Sequence, residues 1–280
     1  MQFKNLKDID LSYLLSIIND SFADYIVPMH ISMDKFELKI QSEQIDLSIS
    51  VGAFHNNELV GFILHGSKNI NGELHAYNAI TGVLPAHRKQ KLTVKMYNFI
   101  LPHLKELGYT QIQLEAITNN VPALKSYIES GFSITRILEC YKGKVKQLHS
   151  VMDENITIQK NWDGNVNSYI WDWEPTWQND ITSISNVKEN VTCINYKVDN
   201  EIVGYLLFNN ITYRVQQFAV AREYRNQHIA SKLFNALTHH TGDKEIQLIN
   251  IQAEVSGSKF LNRIGFELFL KQYEMVLTLK

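Results

Sequence analysis

The sequence has almost no cysteine: Cys140 and Cys193 are the only two in 280 residues. Far apart and in no metal-ligand spacing, they exclude a disulfide framework and fit a reducing compartment. An excess of either charge is also missing. Lys and Arg (27) nearly balance Asp and Glu (29), so no global field recruits nucleic acid or an anionic membrane, and any anion site must be local. No apolar run reaches the length of a membrane span, and the start, MQFKNLKDID, is charged where a secretory leader would be apolar. The pair His239-His240 has no further ligands at suitable spacing, so no metal site is expected. These absences leave a cytoplasmic protein with no nucleic-acid or membrane partner as the expectation. What remains is ordinary globular composition, 45% hydrophobic and 20% charged, over a length that suits two domains.

The most informative stretch is Thr81 to Met96, TGVLPAHRKQKLTVKM, an apolar strand that turns through a basic, donor-rich loop into a helix. An altered copy runs from Phe218 to Phe234, FAVAREYRNQHIASKLF. Arg88 and Arg225 stand where strand gives way to helix, so free backbone N–H groups and the positive end of the helix dipole face an anion there. A phosphate-bearing ligand fits; a plain turn with solvated basic residues is the competing reading. The surroundings repeat as well. Gly61 and Gly204, in Glu-Leu-Val-Gly-Phe and Glu-Ile-Val-Gly-Tyr, are 143 apart, the two arginines 137, and Gly131-Phe132 and Gly265-Phe266 134. A constant order with a slowly falling offset points to internal duplication with short deletions in the second copy.

The polar, basic segment from Lys142 to Asn155 is the expected boundary, giving domains 1–145 and 146–280. Ile134 to Tyr141 reads as the strand closing the first domain, Pro102 should kink or divide the helix after Arg88, and Pro175 marks a helix start. Trp162, Trp171, Trp173 and Trp177 are expected mainly to fill the second domain's core or its contact with the first, an acceptor-binding wall being the competing reading, with Asp172 and Glu174 between them suited to a cationic acceptor.

Strand, basic turn, helix and strand are followed by Asn120, Ala123, Tyr127, Gly131 and Phe132 in the spacing Asn-x-x-Ala-x-x-x-Tyr-x-x-x-Gly-Phe. This order resembles the GNAT acyltransferase superfamily, whose phosphate loop is usually Gln/Arg-x-x-Gly-x-Gly/Ala. The loop reads Arg88, Lys89, Gln90, Lys91, Leu92, Thr93 in the first half, with lysine and threonine in place of the small residues. In the second it reads Arg225, Asn226, Gln227, His228, Ile229, Ala230, and Glu254 and Leu261 replace the motif's Asn and Tyr. The resemblance covers most of both halves. It implies an α/β protein of two tandem GNAT-like domains, each a twisted, mostly antiparallel mixed sheet flanked by helices. It also implies N-acetyl transfer from acetyl-CoA to a small-molecule or peptide amine; a homodimer stays open. The donor would lie on Val83 and Leu84, the loop from Arg88 to Thr93, and Asn120.

Direct attack by an amine needs a base, an oxyanion donor and an acid for the departing thiolate. By its place in the motif Tyr127 would be the acid; a packed core tyrosine is the other reading. Backbone N–H groups near Gly82, Val83 and Leu84 would hold the acyl carbonyl. For the base the candidates are His75, with an unperturbed pKa near 6.5, and Glu115 acting through water; a polar strand residue with no chemical role is the alternative for each. Two further functions remain open: a non-catalytic module binding CoA, a small ligand or a protein, and an active C-terminal domain beside an inactive N-terminal one.

Overall fold

A computed structural model describes residues 1–24, 30–146, 152–164, 172–253 and 257–279. The chain packs as two units, one of Met1–Arg136 with Tyr273–Lys280, the other of Ile137–Gln272. Each is the mixed, mostly antiparallel α/β arrangement that the sequence suggests.

In the first unit β1 (Gln2–Asn5), β2 (Ile45–His55), β3 (Glu58–Ile70), β4 (Glu73–Val83) and β5 (Tyr109–Ile117) follow one another across the sheet. The first three pairings are antiparallel and β4 with β5 is parallel. Asn56-Asn57 and Asn71-Gly72 take positive φ at both positions, the geometry that lets a two-residue turn match the twist of its strands. Helix α1 (Leu11–Phe22) starts where the Asp10 carboxylate accepts the Tyr13 N–H at 2.8 Å. With α2 (Met33–Glu43) it buries Leu14, Ile18 and Phe36 against Phe62 and Leu64 on one sheet face. On the other face α3 (Leu92–Glu106) and α4 (Val121–Glu129) bury Met96, Tyr97, Ile100 and Tyr127 against Ile63, Ala76, Ile112 and Leu114. Pro102 does not divide α3, which continues for one turn beyond it to Glu106.

The second unit repeats this order. It contains residues 137–143 of β6 (Ser133–Gly143), then β7 (Ile156–Lys160), β8 (Val191–Val198), β9 (Glu201–Asn209), β10 (Arg214–Val220), β11 (Ile246–Gln252) and residues 266–272 of β12 (Phe266–Thr278). The sheet order is β6-β11-β10-β9-β8-β7, with β10 and β11 parallel. Helix α6 (Ile229–Thr241) packs Leu233, Phe234 and Leu237 on Leu206, Phe208 and Leu248. The helix expected at Pro175 instead begins as a 3-10 turn at Trp177–Asn179, followed by α5 (Ile181–Ser185). The later start has a cause: Asp180 accepts the Ser183 N–H at 2.7 Å and caps α5. Trp162 and Trp177 are buried, Trp162 beside Ile184 and Val191, whereas Trp171 and Glu254 lie outside the described residues.

The strand beside β5 is the end of β12, and the strand beside β11 is β6. Each repeat therefore supplies the strand that flanks the other's parallel pair. Met275 and Leu279 belong to the first unit's core, and the Leu279 N–H donates to the Thr110 carbonyl at 2.7 Å. The linear division at 145/146 does not describe this packing, because strand patterning shows where a strand lies but not which neighbour it takes.

Candidate functional site

In the first unit β4 and β5 pair from Leu74 with Tyr109 to Tyr77 with Gln113, and no further. Beyond that point they part, leaving an opening toward the end of β4. A bulge at Ala79, between Asn78 opposite His65 and Ile80 opposite Leu64, lies at the start of the opening. The Leu84 N–H donates to the Val60 carbonyl at 2.9 Å, so Leu84 is spent on β3 and cannot hold an acyl carbonyl as expected. Antiparallel pairing alternates, so the next residue back, Val83, points its N–H and C=O away from β3 and into the opening.

The Val83 carbonyl is taken by Arg88, whose Nε donates to it at 3.2 Å. The same guanidinium forks onto Asp24, both contacts 2.7 Å, and donates to the Ser21 carbonyl at 2.9 Å. Asp24 is held below the usual carboxylate range chiefly by this hydrogen bonding. Arg88, expected to meet phosphate, is thus a clasp that satisfies the open strand edge. Lys89 and Lys91 both take left-handed backbone (φ 62° and 56°), and Lys91 directly precedes α3. The lysine at the motif's first glycine position keeps the conformation for which glycine is used, while its side chain turns away to Glu129 on α4. Lys89 and Gln90 are exposed, Thr93 is half-buried at the start of α3, and Leu92 is buried beneath the loop. Asn120 caps α4 by accepting the Ala123 N–H at 3.2 Å.

Ile112, Leu114 and Ala116 face the α3 core, so Gln111, Gln113 and Glu115 face the α1 and α2 side. Glu115, just past the last β4–β5 pair, accepts a 2.5 Å hydrogen bond from the Tyr77 hydroxyl, and its other oxygen is buried with no partner among the described residues. Burial is the main cause that pushes its carboxyl up to about 8, with Glu274 and Glu43 adding to the rise against the Tyr77 hydrogen bond. His75 lies eight residues before Val83, roughly 26 Å along the strand, where it hydrogen-bonds Gln111 (2.9 Å) and approaches Glu73 (3.5 Å). The structure does not bring it to the loop. Tyr127 is 8% exposed and packs edge-on against Tyr97 and Phe132, with ring centroids 6.4 and 5.8 Å away.

The second unit repeats the clasp with different surroundings. The bulge falls at Gln216, 137 positions after Ala79, and Asn226 and His228 take left-handed backbone like Lys89 and Lys91. The Arg225 Nε donates to the Val220 carbonyl at 2.9 Å, and Asp172 pairs with Arg225 (2.9 Å) and Arg222 (3.3 Å), so Asp172 is not available to a cationic acceptor as expected. The parallel ladder is a single pair, Arg214 with Gln247, and a cavity of about 610 Å³ opens beside it. Sequence reasoning placed an anion site at the Arg225 turn but did not find this cavity, and it missed Asp24, Asp172 and Tyr77 as side-chain partners. The repeated strand-loop-helix marked the location; the distances between chain segments carried no local pattern. Among the described residues no group of three or more His, Cys, Asp or Glu is placed to hold a metal ion, and no helix is long and apolar enough to cross a membrane.

Two units that each part a parallel strand pair above a strand-loop-helix turn define a tandem acyltransferase architecture. Family models agree: residues 14–132 match the acetyltransferase (GNAT) family and residues 173–275 the acetyltransferase (GNAT) domain. The chain belongs to the GNAT superfamily as a tandem-domain, GNAT-type acetyltransferase. Among solved structures, a GCN5-related N-acetyltransferase from Sphaerobacter thermophilus superposes with a TM-score of 0.68 at 14% identity, covering 99% of this chain and 96% of its own. A tandem GNAT protein from the clavulanic acid biosynthesis pathway gives 0.70 at 10% identity, covering 100% and 98%. At such identities the likeness concerns the fold alone. No curated protein sequence matches the chain.

Proposed function

We propose that the chain moves an acetyl group from acetyl-CoA to an amine, with the chemistry in the first unit. The observation that carries this reading is Glu115. A carboxyl brought to about 8 at the point where β4 and β5 part is poised to take a proton from an amine near neutral pH. The donor's fit rests on the loop: left-handed Lys89 and Lys91 keep its backbone form, and the Val83 N–H faces the opening. Lys89, Gln90 and the free N–H groups at the start of α3, from Leu92 and Thr93, would hold its phosphates. Val83 would donate to the acyl carbonyl as it becomes an oxyanion. Glu115 takes the proton lost by the attacking nitrogen, and Tyr127 on α4 gives one to the departing thiolate. Asn120 acts by fixing the start of α4, and His75 has no place in this scheme. The acceptor is a small-molecule or peptide amine reaching Glu115 from the α1 and α2 side.

Thiol release from acetyl-CoA, measured across a panel of polyamines, aminoglycosides, amino acids and peptides, tests the reading. Amine-dependent release that is lost in Glu115→Gln supports it. Release that no amine stimulates, with CoA still bound, would favour a binding module instead.

A further inference from the structure

Tyr77 is held as firmly as the carboxyl it touches. Ala76 faces the α3 core, so Tyr77 beside it faces the α1 and α2 side, as Glu115 does. Tyr77 and Gln113 form the last pair of the β4–β5 ladder, and Glu115 follows Gln113 by two residues on the same face. The phenol ring, 1% exposed, therefore spans the place where the strands part. A buried tyrosine hydroxyl needs a partner. This one donates to Oε2 of Glu115 at 2.5 Å, within the range of bonds from a hydroxyl to an ionised carboxylate.

Other donors around the carboxyl are committed elsewhere. Gln113 gives its amide to Glu274 (3.1 Å), and Arg136 of β6 forks onto the same carboxylate with two contacts of 2.7 Å. On α2, Lys39 donates to both oxygens of Glu43, at 2.6 and 2.7 Å. Oε1 of Glu115 is left buried with no partner among the described residues. One oxygen is tied and the other is kept open. Burial chiefly raises this carboxyl, and the Tyr77 hydrogen bond is the largest influence that lowers it. The charges of Glu274 and Glu43 raise it further, and that of Lys39 lowers it.

We propose that Tyr77 is a positioning residue for acetyl transfer: by holding Oε2 of Glu115, it presents Oε1 to the acceptor nitrogen. The inference rests on Glu115 being the base. The nitrogen lone pair forms the new N–C bond as the C–S bond breaks. Oε1 takes the proton that the nitrogen loses and Tyr127 gives one to the thiolate, so the protein gains no net proton. Because the Tyr77 bond favours the ionised carboxylate, it also favours the return of the proton from Oε1 to water.

Carbon-13 NMR of the full chain labelled at the glutamate carboxyl, with the Glu115 signal identified by its absence from Glu115→Gln, tests this without an acceptor. Tyr77→Phe keeps the packing ring and removes the donor. Its Glu115 midpoint should rise above the wild-type value of about 8, by about one pH unit. Glu274→Gln removes a like charge and should move the midpoint the other way. With an amine that supports thiol release, Tyr77→Phe should carry the rising limb of kcat/KM upward and lower kcat about tenfold at neutral pH, with KM nearly unchanged. Added to Glu115→Gln, it should change kcat no further. An unmoved midpoint in Tyr77→Phe, or a loss of kcat that adds in full to that of Glu115→Gln, would overturn this inference and spare the proposed function. Amine-dependent release that persists in Glu115→Gln would remove both.

Discussion

Glu115→Gln separates the proton-binding role of this side chain from its shape, since the amide can still accept from Tyr77. In wild type the carboxyl titrates at about 8 against an ordinary 4.5. Its folded value lies above its unfolded one, so its contribution to stability is fully present below about pH 4.5 and is lost as the pH rises through 8. At 1.36 kcal/mol per unit the loss is at most about 5 kcal/mol, and about 2–5 once partial exposure of the residue admits water. Glutamine has nothing to titrate. Thermal unfolding followed from pH 5.5 to 9 should show the variant close to wild type at the acid end and several degrees more stable at the alkaline end. Activity should move the other way: wild-type kcat/KM rises with an apparent pKa of about 8, while the variant is roughly 10²–10⁴ lower and lacks that limb. A stability difference that is constant with pH, or a variant that keeps the limb, would refute the placement of a buried, titrating base at Glu115.

His65 is fully buried, and burial lowers its imidazole to about 4 from an ordinary 6.5. With the folded value below the unfolded one, wild type should lose on the order of 3 kcal/mol as the pH falls from 6.5 to 4, and His65→Gln should flatten that acid limb in the same unfolding series. Lys91→Gly relieves a left-handed backbone at φ 56° and should stabilise the chain by about 0.5–1 kcal/mol, whereas Lys91→Ala should not; denaturant midpoints decide. Arg88→Met leaves the Val83 and Ser21 carbonyls without their donor and should cost about 1–3 kcal/mol, read as an earlier urea transition with an unchanged slope.

The repeat, the strand order and both basic turns were legible because each rests on local chemistry. Alternating apolar residues and the Asn-Asn and Asn-Gly turns announce themselves within a few positions. Arg88 shows the limit. Its place at the strand end was plain, yet its role was set by Asp24 and Ser21, more than sixty positions away. Glu115 could be named as a carboxylate near the opening, but its burial and the Tyr77 hydroxyl follow from the β4–β5 register. The cavity of the second unit was illegible for a related reason. Asn179 in its wall joins a loop to two strands, and no spacing along the chain records that meeting.

The place of residues 273–280 has a consequence for how the molecule is made. The first unit needs Met275 and Leu279 in its core and Glu274 against Arg136, at 2.7 Å. None of these exists until the ribosome has passed through all of Ile137–Gln272. At ordinary elongation rates that is a delay on the order of ten seconds, during which the earlier half waits with one edge of β5 unpaired. Vectorial synthesis therefore cannot complete the halves in the order in which they are encoded. A nascent chain stalled just short of Tyr273 would expose that edge to chaperones or to its neighbours on the polysome.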